Sequence, residues 1–244
     1  MKIGFTGVPP YKIIEKYKNL YPNAEWTDLD VPIRSISRSI AVDYIPETTC
    51  SIIQTIISNS ISLHPDLIIA SVGKGKCDSM SFIIPIIRRT LKDAKIIEIE
   101  NHEQMSRGNP ICTSDIPLIE KFNLITDTVT NGPIKKELKI SKATAGYWGV
   151  PPYDYSLLEL FPNNTHIFGW TRCMENGTPN NLELELYIDP KTPTVFYSQA
   201  FCAKNILAKE LAKNNKGLYV EVDGAIDNST KEKIKAFLEL NNCF

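Results

Sequence analysis

The sequence predicts an α/β protein of two lobes, produced by an internal duplication and with a cleft between them. Three observations lead there. The stretch Gly4-Phe5-Thr6-Gly7-Val8-Pro9-Pro10-Tyr11 returns in nearly the same words as Gly146-Tyr147-Trp148-Gly149-Val150-Pro151-Pro152-Tyr153. Each copy leads through a helix-like segment to a matching corner, Leu20-Tyr21-Pro22-Asn23 and Leu160-Phe161-Pro162-Asn163. Short apolar runs also alternate with segments of helical period along the chain, the pattern of strands and helices in turn. The 244 residues divide on this reading as 1–140 and 141–244, each long enough to bury a core.

Taken in order, residues 2–7 read as a strand stopped by Pro9-Pro10, which cannot continue a ladder. Apolar residues at helical spacing follow from Tyr11, then a second strand over 24–31, while 32–41 settles into neither period. Thr48 or Thr49 is placed to cap a helix whose apolar face is Ile52, Ile53, Ile56, Ile57 and Ile61. Cys50 then sits at a helix N-terminus, where unpaired amides and the positive dipole end favour a thiolate. The run 67–72 is continuously apolar, as in a strand covered on both faces. It gives way to a turn carrying Cys77 and a helix over 80–91, which puts Cys77 where open α/β sheets bind ligands. An alternating, less covered strand over 94–100 precedes a polar stretch at 101–110, a helix beginning in 115–122, and helix and linker over 127–138.

In the second lobe, a helix at 157–160 and a strand over 165–170 lead to a loop holding Cys173. The segment 180–188 suits a strand or a short helix. An apolar strand over 193–198 then exits at Cys202, which starts a helix over 203–214. A strand over 218–222 and a helix over 231–240 complete the chain.

A formal net charge of −1 supplies neither the basic footprint of a nucleic-acid binder nor a cationic face for an anionic membrane. The longest apolar runs, such as Phe82 to Ile87, are too short to span a bilayer. Met1-Lys2-Ile3-Gly4 enters a strand with no signal-peptide pattern, so the cytoplasm is the expected location. The Asn-x-Thr matches at Asn163, Asn176 and Asn228 are then accidents of an Asn-rich chain.

Six cysteines in a reducing compartment are seldom structural disulfides. Apolar strand, turn, cysteine, helix, strand describes 67–100 and equally 194–221, so Cys77 and Cys202 read as equivalents, each with another cysteine upstream, Cys50 and Cys173. In lobes that face each other the four thiols would meet in the cleft. Thiolates in tetrahedral array select zinc or iron–sulfur centres, and the Cys-x-x-Cys pairs of zinc knuckles are absent. The bland alternative is that these are small buried hydrophobes, which is how Cys112 and Cys243, without partners in the repeat, are read.

With these residues in hand, the chain resembles the D-component family of 2-hydroxyglutaryl-CoA dehydratase, with its 2-hydroxyacyl-CoA dehydratase and benzoyl-CoA reductase relatives. The similar segments, in order, are Gly4 to Ile14, Tyr44-Ile45-Pro46 with Cys50, Cys77-Asp78-Ser79, Phe168 to Gly177 around Cys173, Phe201-Cys202, and the ending from Lys231 to Glu239. The resemblance implies Rossmann-like lobes and a four-iron four-sulfur cluster held by Cys50, Cys77 and Cys202, with Cys173 as fourth ligand or lining an open iron position. It also implies a small-molecule substrate and, as partners, an ATP-dependent activator or a second subunit. The chain departs from the family in being much shorter, and in carrying Trp170 and Thr171 where the family has acidic residues.

Two rival readings stay open: an electron carrier or cluster-bearing accessory protein, and a cofactor-independent racemase or isomerase using Cys77 and Cys202 as acid and base. Gly73-Lys74-Gly75-Lys76 lacks the spacing of a phosphate loop, and no Gly-x-Gly-x-x-Gly follows the first strand. His64, His102 and His166 read as structural or exposed, His102 being the best catalytic candidate among them. Arg107 is a possible anion contact.

Overall fold

The computed structural model describes residues 1–73, 76–103, 110–179 and 181–244. The chain is α/β and divides into two compact units, Met1–Glu103 and Gln104–Phe244. Each holds one four-stranded parallel sheet flanked by helices.

The first unit runs β1 (Lys2–Thr6), α1 (Tyr11–Leu20), β2 (Glu25–Asp28), a 3-10 helix over Arg38–Asp43, α2 (Ser51–Leu63), β3 (Leu67–Val72), α3 (Asp78–Thr90) and β4 (Lys95–Glu100). Its strand order is β2-β1-β3-β4. Central β3 has five buried residues in succession, whereas β4 has only exposed and half-buried residues, as expected of an edge strand. Ile68 and Ala70 join Ile53, Ile56 and Ile57 of α2 and Met80, Ile83, Ile84 and Ile87 of α3 in one apolar cluster. That stripe carries α3 through Pro85, a residue that removes a helical hydrogen bond.

The second unit contains a 3-10 helix over Ile111–Thr113, α4 (Leu118–Asn131), β5 (Gly146–Trp148), a 3-10 helix over Tyr155–Leu160, β6 (His166–Phe168), α5 (Trp170–Glu175), α6 (Leu182–Leu186), β7 (Thr194–Gln199), α7 (Asn205–Asn214), β8 (Leu218–Val222) and α8 (Asn228–Leu240). Its strand order, β6-β5-β7-β8, follows the same pattern as the first sheet. The ladders correspond too. Gly4 pairs with Thr27 and Ile68, and Gly146 pairs with His166 and Thr194.

The sequence reading ends its first lobe at 140, but α4 goes with the second unit. Phe122 meets Tyr147 of β5 edge-on at 5.2 Å, and the Lys121 ammonium donates to the Thr165 carbonyl. The segment expected as a helix at 157–160 is a 3-10 helix held by the Asp154 side chain, which accepts from the Ser156 amide. Among the described residues no helix is long and apolar enough to cross a membrane.

Candidate functional site

A parallel sheet gathers the carboxyl ends of its strands on one edge, and loops on that edge carry ligand-binding groups in open α/β folds. In the first unit β3 leaves this edge at Val72, and Cys77 is the N-cap of α3. Helix α2 runs back to feed the amino end of β3, so its own N-cap, Cys50, lies on the same edge. The expected caps Thr48 and Thr49 are displaced. The Thr49 amide donates to the Pro46 carbonyl, and the Gln54 side-chain amide holds the Glu47 and Thr49 carbonyls at 2.8 Å each, so the helix opens one residue later. Neither cysteine makes a side-chain capping hydrogen bond; Cys77 is exposed, and Cys50 is half-buried against the apolar cluster.

In the second unit Cys202 lies in a turn after β7, with its amide donating to the Gln199 carbonyl at 3.2 Å. It is half-buried, and the helix it was expected to start has its N-cap at Lys204, two residues on. Cys173 departs further from its expected loop, because it is the fourth residue of α5 and is fully buried. Its Sγ lies 3.6 Å from the Asn181 carbonyl as donor, and burial, reinforced by Glu185, pushes the thiol up to about 12. Among the described residues no three His, Cys, Asp or Glu side chains group closely enough to hold a metal ion.

Each histidine has a local task. His64 closes α2 in the left-handed region, His102 pairs with Glu100 at 3.0 Å on the surface, and His166 Nε2 contacts the Ser141 carbonyl at 2.9 Å. Arg107, Lys74 and Gly75 lie outside the described residues.

Two groupings escaped the sequence reading. In the second unit, fully buried Glu175 accepts from Arg172 at 2.7 Å and from the Cys112 amide at 3.3 Å. Cys112 is fully buried, as a small hydrophobe would be. Its thiol is pushed well up by burial and then by the Glu175 charge, while buried Lys121 beside it is lowered to about 8 by burial. In the first unit, an acidic pair ends β2. Asp30 Oδ2 accepts the Gly7 amide at 2.7 Å, and Asp28 Oδ1 accepts the Asp30 amide at 2.9 Å. Burial pushes Asp30 up to about 6 against the pull of the Gly7 amide and Lys76, and it raises Asp28 well above the carboxylate range with help from Asp30. The signal available in sequence was Asp-x-Asp at a strand end.

No protein-family model matches the chain, and no curated protein matches it in sequence.

Proposed function

We propose that this chain is an iron–sulfur protein resembling the small subunits of 2-hydroxyacyl-CoA dehydratases, with a four-iron four-sulfur cluster on Cys50, Cys77 and Cys202. On this reading it serves reductive or radical chemistry on a small substrate. The observation that carries it is the pair of helix starts in the first unit. Both α2 and α3 begin on a cysteine, and neither thiol caps its helix. Ser, Thr, Asp or Asn in those places would add about 1 kcal/mol each. Two such departures on one sheet edge are what a site for soft ligands retains at the expense of local stability.

The donor set fits such a group in chemical type, since all three thiols keep some exposure. Cys173 does not, being fully covered and held as a protonated donor. A cluster bound there would supply one-electron transfer. The shared strand order and ladder register support reading the two units as duplicated Rossmann-like lobes. A cytoplasmic location, with an ATP-dependent activator or second subunit as partner, belongs to the same reading.

Anaerobic purification and reconstitution should give brown protein with about four irons and matching acid-labile sulfide per chain. Cys50→Ala, Cys77→Ala and Cys202→Ala should each lose the colour, and Cys243→Ala should keep it. Iron-free protein, or a cluster that survives Cys77→Ala, overturns the assignment. Racemisation by metal-free protein would favour the two-cysteine isomerase. A cluster that cycles electrons without turning over any acyl-CoA thioester would favour the carrier.

A further inference from the structure

The strand order β2-β1-β3-β4 makes β1 and β3 a topological switch point, because the chain leaves them toward opposite sides of the sheet. Gly7 follows β1 there, in the left-handed region at φ 63°. A side chain added to it would meet the Lys76 ammonium at 2.7 Å and Ser71 Cβ at 3.1 Å, and its amide is already held by Asp30. One spot thus gathers a carboxylate, an ammonium and a hydroxyl. Ser71 is fully buried, yet its Oγ has no hydrogen-bond partner among the described residues, and neither has the covered Oδ1 of Asp30. Burying such atoms unpaired is costly, so their persistence at a switch point marks a place for a ligand.

The second sheet shows the contrast. Gly149 corresponds to Gly7 by ladder register, but the residue beside it is Tyr197, and the position of Asp30 is taken by Gly169, packed under the Trp148 indole. Trp148 donates to the Glu185 carbonyl and Tyr147 to the Val150 carbonyl, so that edge is filled by aromatic side chains with their polar atoms satisfied.

The mixture of groups selects the ligand chemistry. A phosphate would face Asp28 and Asp30, and the first amide of α1 already donates to Glu103 at 3.1 Å. A metal cation would face the Lys76 ammonium. A neutral hydroxyl pair suits both charges at once, because one hydroxyl can donate to a carboxylate and accept from an ammonium while its neighbour exchanges with a serine hydroxyl. We propose that Asp30, Ser71 and Lys76 form a binding site for the vicinal diol of a sugar or nucleoside, at the carboxyl edge of the first sheet. Lys76 immediately precedes Cys77, but none of these three side chains is a proposed cluster ligand.

Titration calorimetry on the full chain tests this with adenosine, methyl riboside and glucose as diol probes. At least one should bind. If adenosine binds, 2′,3′-dideoxyadenosine should bind about tenfold or more weakly, as expected for loss of charge-assisted hydrogen bonds. Ser71→Ala removes a hydroxyl without a partner among the described residues, so it should fold normally and weaken the diol about tenfold. Asp30→Asn should weaken it further, and Tyr219→Phe in the second unit should change nothing. Folded wild-type protein that binds none of the three at millimolar concentration overturns the proposal. So does dideoxyadenosine binding as tightly as adenosine, or magnesium, inorganic phosphate or L-alanine binding in a Ser71-dependent way where diols do not.

Discussion

Cys77 and Cys173 show how little a residue type says without its surroundings. Brief iodoacetamide treatment of native protein, read by peptide mass spectrometry, should label exposed Cys77 first. It should label half-buried Cys50 and Cys202 more slowly, and leave Cys173 and Cys112 untouched until the protein unfolds. Lys121 makes a second case. Its folded value near 8 lies below the unfolded 10.5, so the unfolded chain holds more protons between those values. The contribution of Lys121 to stability therefore rises as pH climbs from about 8 toward 10.5, by about 3 kcal/mol at most. Urea denaturation across that window should show a shallower rise for Lys121→Met than for wild type. Neither environment was legible in the sequence. The short helix around Cys173 holds too few residues to display a helical period, and the carbonyl that Lys121 meets, that of Thr165, lies 44 residues along the chain.

Elements defined by long, uniform patterns were legible. The apolar run of β3 and the isoleucine stripe of α2 announce their burial by composition alone. Their ends were not, because helix starts depend on which carbonyls the entering turn occupies, as Gln54 does before α2. The capping argument gives a direct test. Cys77→Ser should raise stability by about 0.5–1 kcal/mol in metal-free protein, since the serine oxygen can accept from the first turn of α3. The same change should abolish any cluster. The two turn glycines differ in an equally measurable way. A Cβ on Gly149 would lie 2.6 Å from the Tyr197 backbone carbonyl at φ 150°, whereas on Gly7 its tightest contact, at 2.7 Å, would be the end of a lysine side chain that can swing aside, with Ser71 Cβ next at 3.1 Å. Gly149→Ala should cost about 2–3 kcal/mol and Gly7→Ala about 1 kcal/mol in denaturant titrations.

For the whole molecule, the repeated motif revealed two sheets but misled about where the first unit ends. Repeat matching counts from motif to motif and is blind to α4, which stands between the copies and packs on β5 of the second. The Asp30 grouping was hidden for a related reason. Gly7 and Asp30 are 23 residues apart in sequence, and only the parallel crossover brings them together. The unit boundary can be tested with fragments. Residues 1–103 and 104–244 should each unfold cooperatively when expressed alone. A fragment of 141–244 should be poorly folded, because it strips Phe122 and Lys121 from β5 and β6, and one of 1–140 should aggregate through the bared apolar face of α4.

Every ladder in the two sheets is parallel, so no strand pairs with a hairpin neighbour and each must wait for a helix to be made between it and its partner. On the ribosome this orders events in time. The last strand of the first sheet ends at Glu100, before any residue of β5 has been synthesised, so the first unit can complete its sheet while the second does not yet exist. Two similar sheets in one chain invite strand exchange between them, and emergence in sequence removes that competitor during synthesis. Refolding from denaturant, where the strands of both sheets compete at once, should therefore be slower and lower in yield than translation of the same chain.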